Sequence, residues 1–311
     1  MKLASMRTAF VKTLEKLADK DSSIFLLTAD LGFKLFDDFR RRFPDRFINV
    51  GVAEGNMIGV AAGMALSDKN VYCYSMVPFL TMRALEQIRV DICYHNLPVK
   101  LIGVGGGLAY GLEGMTHHGI EDLAVMRSLP NMTVVAPGDP LECEAAVRES
   151  RTYSGPLYIR LGGNNDPAIH DGNIEFKIGQ GIVVKEGKDV SIFATGTMLP
   201  VASKVVDLLG ERGYQSNLVS IHTIKPLDIK LVREVANRSK AVFTIEEHSK
   251  IGGLGSAVAE ALIEGGWKGI FKRFALPDKY GGHIGKTEYL REKHGLSCWK
   301  IYGDILLQME R

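Results

Sequence analysis

The stretch NVGVAEGNMIGVAAGMAL, residues 49–66, sets one acidic side chain, Glu54, into an otherwise apolar and glycine-rich run. An ionised carboxylate without a partner in such surroundings is costly, and burial drives it toward the neutral form. Two readings satisfy that constraint. Either Glu54 is a favourable charge at the positive end of a helix, or something arrives there that needs a proton donor and acceptor. Gly55, Gly59 and Gly63 follow at every fourth residue, on one face of a helix. Such a row lets another backbone come close, at ~1 kcal/mol of helix propensity per glycine. A second anomaly is GVGGGLAYGLEGMTHHGIED, residues 103–122, which crowds glycines, Glu113 and the adjacent His117 and His118 after an apolar run. Neighbouring histidines point in different directions and make a poor metal chelate. An imidazole on a loop after a parallel strand is suited to proton or hydrogen-bond work near neutral pH. No G-x-G-x-x-G is formed, so a dinucleotide fingerprint is absent.

Composition narrows the class. With 311 residues the chain has room for about two domains, and a net charge of +2 gives no reason to expect nucleic acid. The cysteines Cys73, Cys93, Cys143 and Cys298 lie far apart, without the spacing of a zinc site or a disulfide framework. They fit a reducing compartment, and the expected location is cytoplasmic. The N-terminal stretch reads as an amphipathic helix with Phe10, Leu14 and Leu17 on one face. It has neither the apolar core of a signal peptide nor the length of a membrane span, and no membrane association is expected.

The elements that must hold these residues alternate. Residues 24–30, 46–50, 71–76, 99–104, 132–137 and 157–161 read as buried strands, with helical periodicity between most of them. FLTMRALEQIRVDICYHN and DPLECEAAVRES are two such helical segments; in the second, Asp139 is an N-cap, Pro140 the first helical residue and Glu142 a first-turn acid. The glycine-, asparagine- and proline-bearing stretch 161–173 is a linker, after which DVSIFATG, SNLVSI, KAVFTIEE and GIFKRFAL resume the strand pattern. KIGGLGSAVAEAL reads as close packing of a helix on a sheet. The expectation is two α/β domains with mostly parallel sheets covered on both faces, residues 1–165 and 166–311.

Taken in order, TADLG, NVGVAEGNMIGVAAGMAL, PFLTMRALEQIRVDICYHNLPVKLIGVGGG, GMTHHGIEDLAVMRSLPNMTVVAPGDP and IFATGTMLPVA resemble the C-terminal section of transketolase, a thiamine diphosphate enzyme. The similarity runs from about Arg7 to the end. The G-D-G motif by which the family holds the diphosphate through a metal ion is missing; GDP at 138–140 belongs to a helix start. The resemblance therefore implies the pyrimidine-binding and C-terminal domains of a split transketolase, each an α/β/α layered unit. It implies thiamine diphosphate, with Mg2+ or Ca2+ held mainly by a separate N-terminal subunit, in a heterotetramer of two plus two.

The same resemblance assigns residues. Glu54 matches the glutamate that meets N1′ of the cofactor's aminopyrimidine, Phe79 the ring stacked on it, with Met82 beside it and Asp30 near the cofactor. His117 matches the histidine that hydrogen-bonds the reacting oxygen of donor and acceptor. Glu113 stands where an aspartate commonly faces a substrate hydroxyl. Arg7 matches a phosphate-binding arginine and Lys34 replaces a serine in that role, so sugars or sugar phosphates are the expected substrates. Gly105 and Gly163 stand where many members carry a histidine and an arginine for the phosphate, and Arg160 is out of register with the latter and reads as structural. Rival readings are the beta subunit of a 2-oxoacid dehydrogenase's decarboxylating component, deoxyxylulose phosphate synthase, and a non-catalytic regulatory subunit. The MTHHGIED and RALEQIRVDICYHNLPV stretches favour transketolase over the first, and Glu54, Phe79 and His117 together speak against the last.

Overall fold

Successive strand residues point to opposite faces of a sheet, so an apolar run without alternation must be covered on both sides. The computed structural model, which describes residues 3–163 and 166–310, bears this out in the stretch 24–28. Leu26 lies in one apolar core with Phe10, Leu14 and Val147, and its neighbour Leu27 lies in another with Met57, Ile58 and Ile88.

Along the first half run β1 (Leu3–Ala4), β2 (Ile24–Thr28), β3 (Phe47–Asn49), β4 (Asn70–Met76), β5 (Lys100–Val104), β6 (Thr133–Val135) and β7 (Leu157–Leu161), followed by β8 (Asp166–Pro167). The second half contains β9 (Ile182–Lys185), β10 (Val190–Ala194), β11 (Ser216–Ser220), β12 (Thr223–Lys225), β13 (Ala241–Ser249) and β14 (Ile270–Leu276). The helices are α1 (Met6–Ala18), α2 (Asp37–Arg42), α3 (Glu54–Leu66), α4 (Leu85–Gln87), α5 (Asp122–Ser128), α6 (Pro140–Ser150), α7 (Leu199–Glu211), α8 (Ile229–Asn237), α9 (Leu254–Glu264), α10 (Thr287–Lys293) and α11 (Cys298–Met309).

The first sheet has the order β12-β6-β7-β5-β4-β2-β3 and is parallel apart from β12, which pairs antiparallel with β6. Helices α1 and α6 cover one face, and α3, α5 and the segment 88–97 cover the other. The second sheet, β14-β13-β10-β11-β9, is parallel except for its edge strand β9. Helices α7, α10 and α11 cover one of its faces and α8 with α9 the other. Both units are three-layered α/β/α. Strand β12 lies far along the chain from the rest of its sheet and ties the second half onto the first.

Local signals account for several details. Asp139 Oδ1 accepts from the Glu142 N–H at 2.8 Å, which caps α6 as the Asp-Pro start requires. Its other oxygen accepts from the N–H groups of Ile169 and His170, so the linker is pinned back onto α6. Asn164 and Asn165 of that linker lie outside the described residues. Residues 79–94 are helical but wound differently from the expected α-helix: two π-helical stretches, Phe79–Arg83 and Ile88–Tyr94, flank the single turn α4. Such insertions re-aim side chains and concentrate at functional sites.

Candidate functional site

Four connections leave the C-terminal edge of the first sheet side by side. Asp30 follows β2, Glu54 follows β3, Phe79 follows β4, and the glycine-rich loop 105–119 follows β5. Ligands of open α/β sheets bind at this edge, because loops there carry polar groups without disturbing the sheet.

Glu54 is the first residue of α3 and only 1% exposed. Its Oε1 accepts from Ser75 Oγ at 3.3 Å, and its Oε2 accepts from Arg83 Nη1 at 2.8 Å. The Arg83 guanidinium lies 4.8 Å from the centroid of the Phe79 ring. On from there, the Phe79 and His117 rings meet edge to face at 5.2 Å. Glu54, Phe79 and His117, separated in sequence, are thus linked into one patch, with Arg83 bridging Glu54 to Phe79. His117 Nδ1 shares a hydrogen bond with Thr116 Oγ1 at 2.9 Å, while the adjacent His118 is buried and held below the ordinary imidazole range chiefly by that burial. Met82 stands at the surface beside Arg83. Asp30 is exposed in a left-handed backbone conformation, its Oδ1 accepting from Asn49 Nδ2 at 3.1 Å.

Of the residues assigned to the sugar's far end, Arg7 lies near two tyrosines, Tyr74 and Tyr110. Arg7 Nε donates to Tyr74 Oη at 3.1 Å. Tyr110 is half-buried; its phenol is raised mainly by burial, with Arg7 pulling it down and Glu113 pushing it up. Tyr110 therefore lies within electrostatic reach of both. Its ring also covers Gly105: a Cβ built there would fall 2.1 Å from the ring, and the φ of +79° disfavours any other residue. The room that a larger residue at 105 would take is filled by an aromatic ring. Among the described residues, only Ala109 lies near the Cβ direction of Gly163, at 3.5 Å. Lys34 is exposed at φ 64°.

Glu113 and Tyr110 border a cleft of about 600 Å³ between the two units. On its far wall Arg291 makes a two-pronged pair with Glu247, at 2.7 and 3.1 Å. Burial pushes Glu247 up, yet Arg291 and Thr197 hold it below the ordinary carboxylate range. Arg160 does not enter the site. Its Nε pairs with Asp122 at 2.9 Å, and Nη2 donates to the carbonyls of Gly119 and Glu247. Behind the glycines of residues 250–262, Glu246 accepts from the N–H groups of Leu254 and Gly255, both at 2.7 Å, which is the close helix–sheet packing expected there.

A carboxylate almost sealed from water, next to a half-exposed aromatic ring and an imidazole, can exchange a proton with a planar heteroaromatic ligand and hydrogen-bond a reacting oxygen. The set thus fits the aminopyrimidine end of a cofactor. Among the described residues, no group of three or more His, Cys, Asp or Glu side chains could hold a metal ion, and no helix is long and apolar enough to cross a membrane.

Comparison with known proteins gives the family. Residues 2–166 match the transketolase pyrimidine-binding domain and residues 179–301 the transketolase C-terminal domain. A 6-deoxy-6-sulfo-D-fructose transketolase subunit of Clostridium sp. (strain MSTE9) is 38% identical over 95% of this chain and 92% of that protein. An apulose-4-phosphate transketolase subunit of Actinobacillus succinogenes is 38% identical over 87% of each chain. A split-gene transketolase solved as an inactive β4 tetramer superposes with a TM-score of 0.89, at 38% identity over 99% of both chains.

Proposed function

Since this chain belongs to the transketolase family through its pyrimidine-binding and C-terminal domains, we propose that it is one half of a split transketolase. It transfers a two-carbon ketol unit from a ketose to an aldose, depends on thiamine diphosphate, and acts with an N-terminal partner subunit. The observation that carries the reading is the placement of Glu54, Phe79 and His117 together at one edge of the first sheet, Glu54 joined to Phe79 through Arg83 and Phe79 touching His117. When bound, the cofactor supplies the electron sink for two-carbon transfer. Glu54 holds and returns the proton at the aminopyrimidine, Phe79 stacks on that ring with Met82 beside it, and Asp30 lies near the cofactor. His117 hydrogen-bonds the reacting oxygen, Glu113 faces a substrate hydroxyl, and Arg7 with Lys34 holds the far end of a sugar or sugar phosphate.

The metal ion, Mg2+ or Ca2+, and the diphosphate fall to the partner, in an assembly of two plus two. A cytoplasmic location is part of the same reading, and the four cysteines support it, being unpaired with three of them buried.

Calorimetric titration of thiamine diphosphate and Mg2+, with and without the partner, tests this division. Tight binding is expected only in the mixture, and micromolar binding by this chain alone would sink the split-subunit reading. In the assembled enzyme, Glu54→Gln should preserve assembly and nearly abolish proton exchange at the cofactor's C2, read by NMR after acid quench from deuterated solvent. Unchanged exchange returns Glu54 to the role of a helix-terminal charge.

A further inference from the structure

Glu54 and Phe79 share a neighbour that the functional reading does not use. Arg83 donates to Glu54 Oε2 at 2.8 Å while its guanidinium lies 4.8 Å from the centroid of the Phe79 ring. The arginine side chain is 50% exposed and the glutamate 1%. Phe79 and Arg83 open and close one π-helical stretch, which brings the ring and the cation over the same carboxylate. A guanidinium is planar, cationic and a donor along its edge, so it uses a carboxylate oxygen and an aromatic face together. Those are also the two surfaces an aminopyrimidine needs.

We propose that Arg83 is a displaceable occupant of the aminopyrimidine position: it partners Glu54 and covers Phe79 in the free chain, and gives both up when cofactor enters. This role rests on the functional reading above. Contrast with the structural arginines of the same molecule supports it. Arg160 and Arg291 are both largely sequestered and donate to several protein groups each. Arg83 enters from solvent and, among the described residues, hydrogen-bonds Glu54 alone. Without it, a buried carboxylate would keep only the Ser75 hydroxyl at 3.3 Å, an expensive state for an anion. With it, the charge is offset by a group that returns to water at little cost, because long basic side chains keep their stems packed while the head stays solvated.

Removing Arg83 should therefore act in opposite directions on two measurements. In the full chain without cofactor, Arg83→Met should lower the unfolding midpoint when Glu54 is present and hardly change it in a Glu54→Gln background. In the assembled enzyme at fixed Mg2+, the same variant should bind thiamine diphosphate roughly three- to tenfold more tightly, since nothing need be displaced from a half-exposed pair. Arg83→Lys, which keeps the charge without the planar fork, should fall between. An arginine that merely positions Glu54 for the cofactor would lower both stability and affinity, so weaker or unchanged cofactor binding in Arg83→Met overturns the displacement. Additive effects of the two substitutions on unfolding overturn it equally, by removing the pair. Failure of the assembled wild type to bind thiamine diphosphate at all would overturn the functional reading, and this role with it. That result is distinct from normal binding that Arg83 variants leave unaltered, which overturns this role alone.

Discussion

A guanidinium held by a phenol and an ammonium standing in water are different tools, although Arg7 and Lys34 share an assignment. The Tyr74 hydroxyl fixes the Arg7 fork, whereas Lys34 projects from an exposed turn. If both grip a sugar phosphate, each contact is charge-assisted and worth roughly 1.5–3 kcal/mol. Arg7→Ala or Lys34→Ala should then lower kcat/KM for phosphorylated ketoses by about one to two powers of ten. Hydroxypyruvate, which has no far end, should be nearly unaffected. The prearranged Arg7 should show the larger loss, because less side-chain freedom is surrendered on binding. Equal losses for both donors in steady-state kinetics would assign these cations to structure instead. Tyr110 matters at the same scale: by filling the space above Gly105, it closes the region where the resemblance alone leaves a gap.

Helix α3 has one face buried in the core and another exposed. Its inner residues Met57, Ile58 and Ala61 are fully buried, yet Gly59 and Gly63 are exposed, and a Cβ at either would meet nothing within 4 Å. Nothing among the described residues requires glycine at those two positions. The helix carries a propensity penalty on an exposed face, and close approach of another subunit there would account for it. Gly59→Ala and Gly63→Ala should each raise the denaturant stability of the isolated chain by up to about 1 kcal/mol. The bulkier Gly59→Leu should weaken assembly with the partner subunit or a second copy, read by sedimentation velocity. Undiminished assembly would remove this face from the interface.

Across the whole molecule the two units are joined by groups buried between them. Arg160 reaches from β7 to the Glu247 carbonyl, the Ala124 N–H of α5 donates to His248 Nε2 of β13, and β12 extends the first sheet from the second half. This closeness leaves carboxyls far from water. Burial pushes Glu246 from 4.5 up to about 7 against the pull of two backbone N–H groups, and pushes Asp166 from 3.8 up to about 6. Between the unfolded and folded values, the native state keeps protons that the unfolded chain has released. Their contribution to stability therefore falls as pH rises through that window and levels off above the folded value. For Glu246 the window runs from 4.5 to about 7. Its amplitude is on the order of 3 kcal/mol, since each tenfold change in proton affinity corresponds to about 1.4 kcal/mol. Glu246→Gln should remove that slope, so the stability difference between variant and wild type should move in the variant's favour from about pH 5 to about pH 7.5. A difference independent of pH in denaturant unfolding would contradict the assignment.

What the sequence makes legible follows from local physics. Strands such as β2, β5 and β7 are buried on both faces, so their runs IFLLT, KLIGV and LYIRL are apolar almost without interruption and declare themselves. The start of α6 was legible because Asp139 satisfies its own helix through a contact three residues away. Glu54 stood out because a lone carboxylate among apolar residues demands an explanation. The edge strands β9 and β12 were not legible: they are short, and what makes them strands is a partner distant in the chain. Tyr110 and Arg83 carry no local signal: folding lays the ring of the first on Gly105, and a π-helical stretch brings the second over Glu54 and Phe79. Side-chain type and spacing along a few turns or strands were enough to specify the alternation of elements and the two layered units, and to single out Glu54 as a carboxylate that needs a partner. Which cation neutralises that carboxylate, and which glycines face outward, emerged with the folded chain alone. Those outcomes depend on how loops from four strands converge in space, and no periodicity along the chain encodes that convergence.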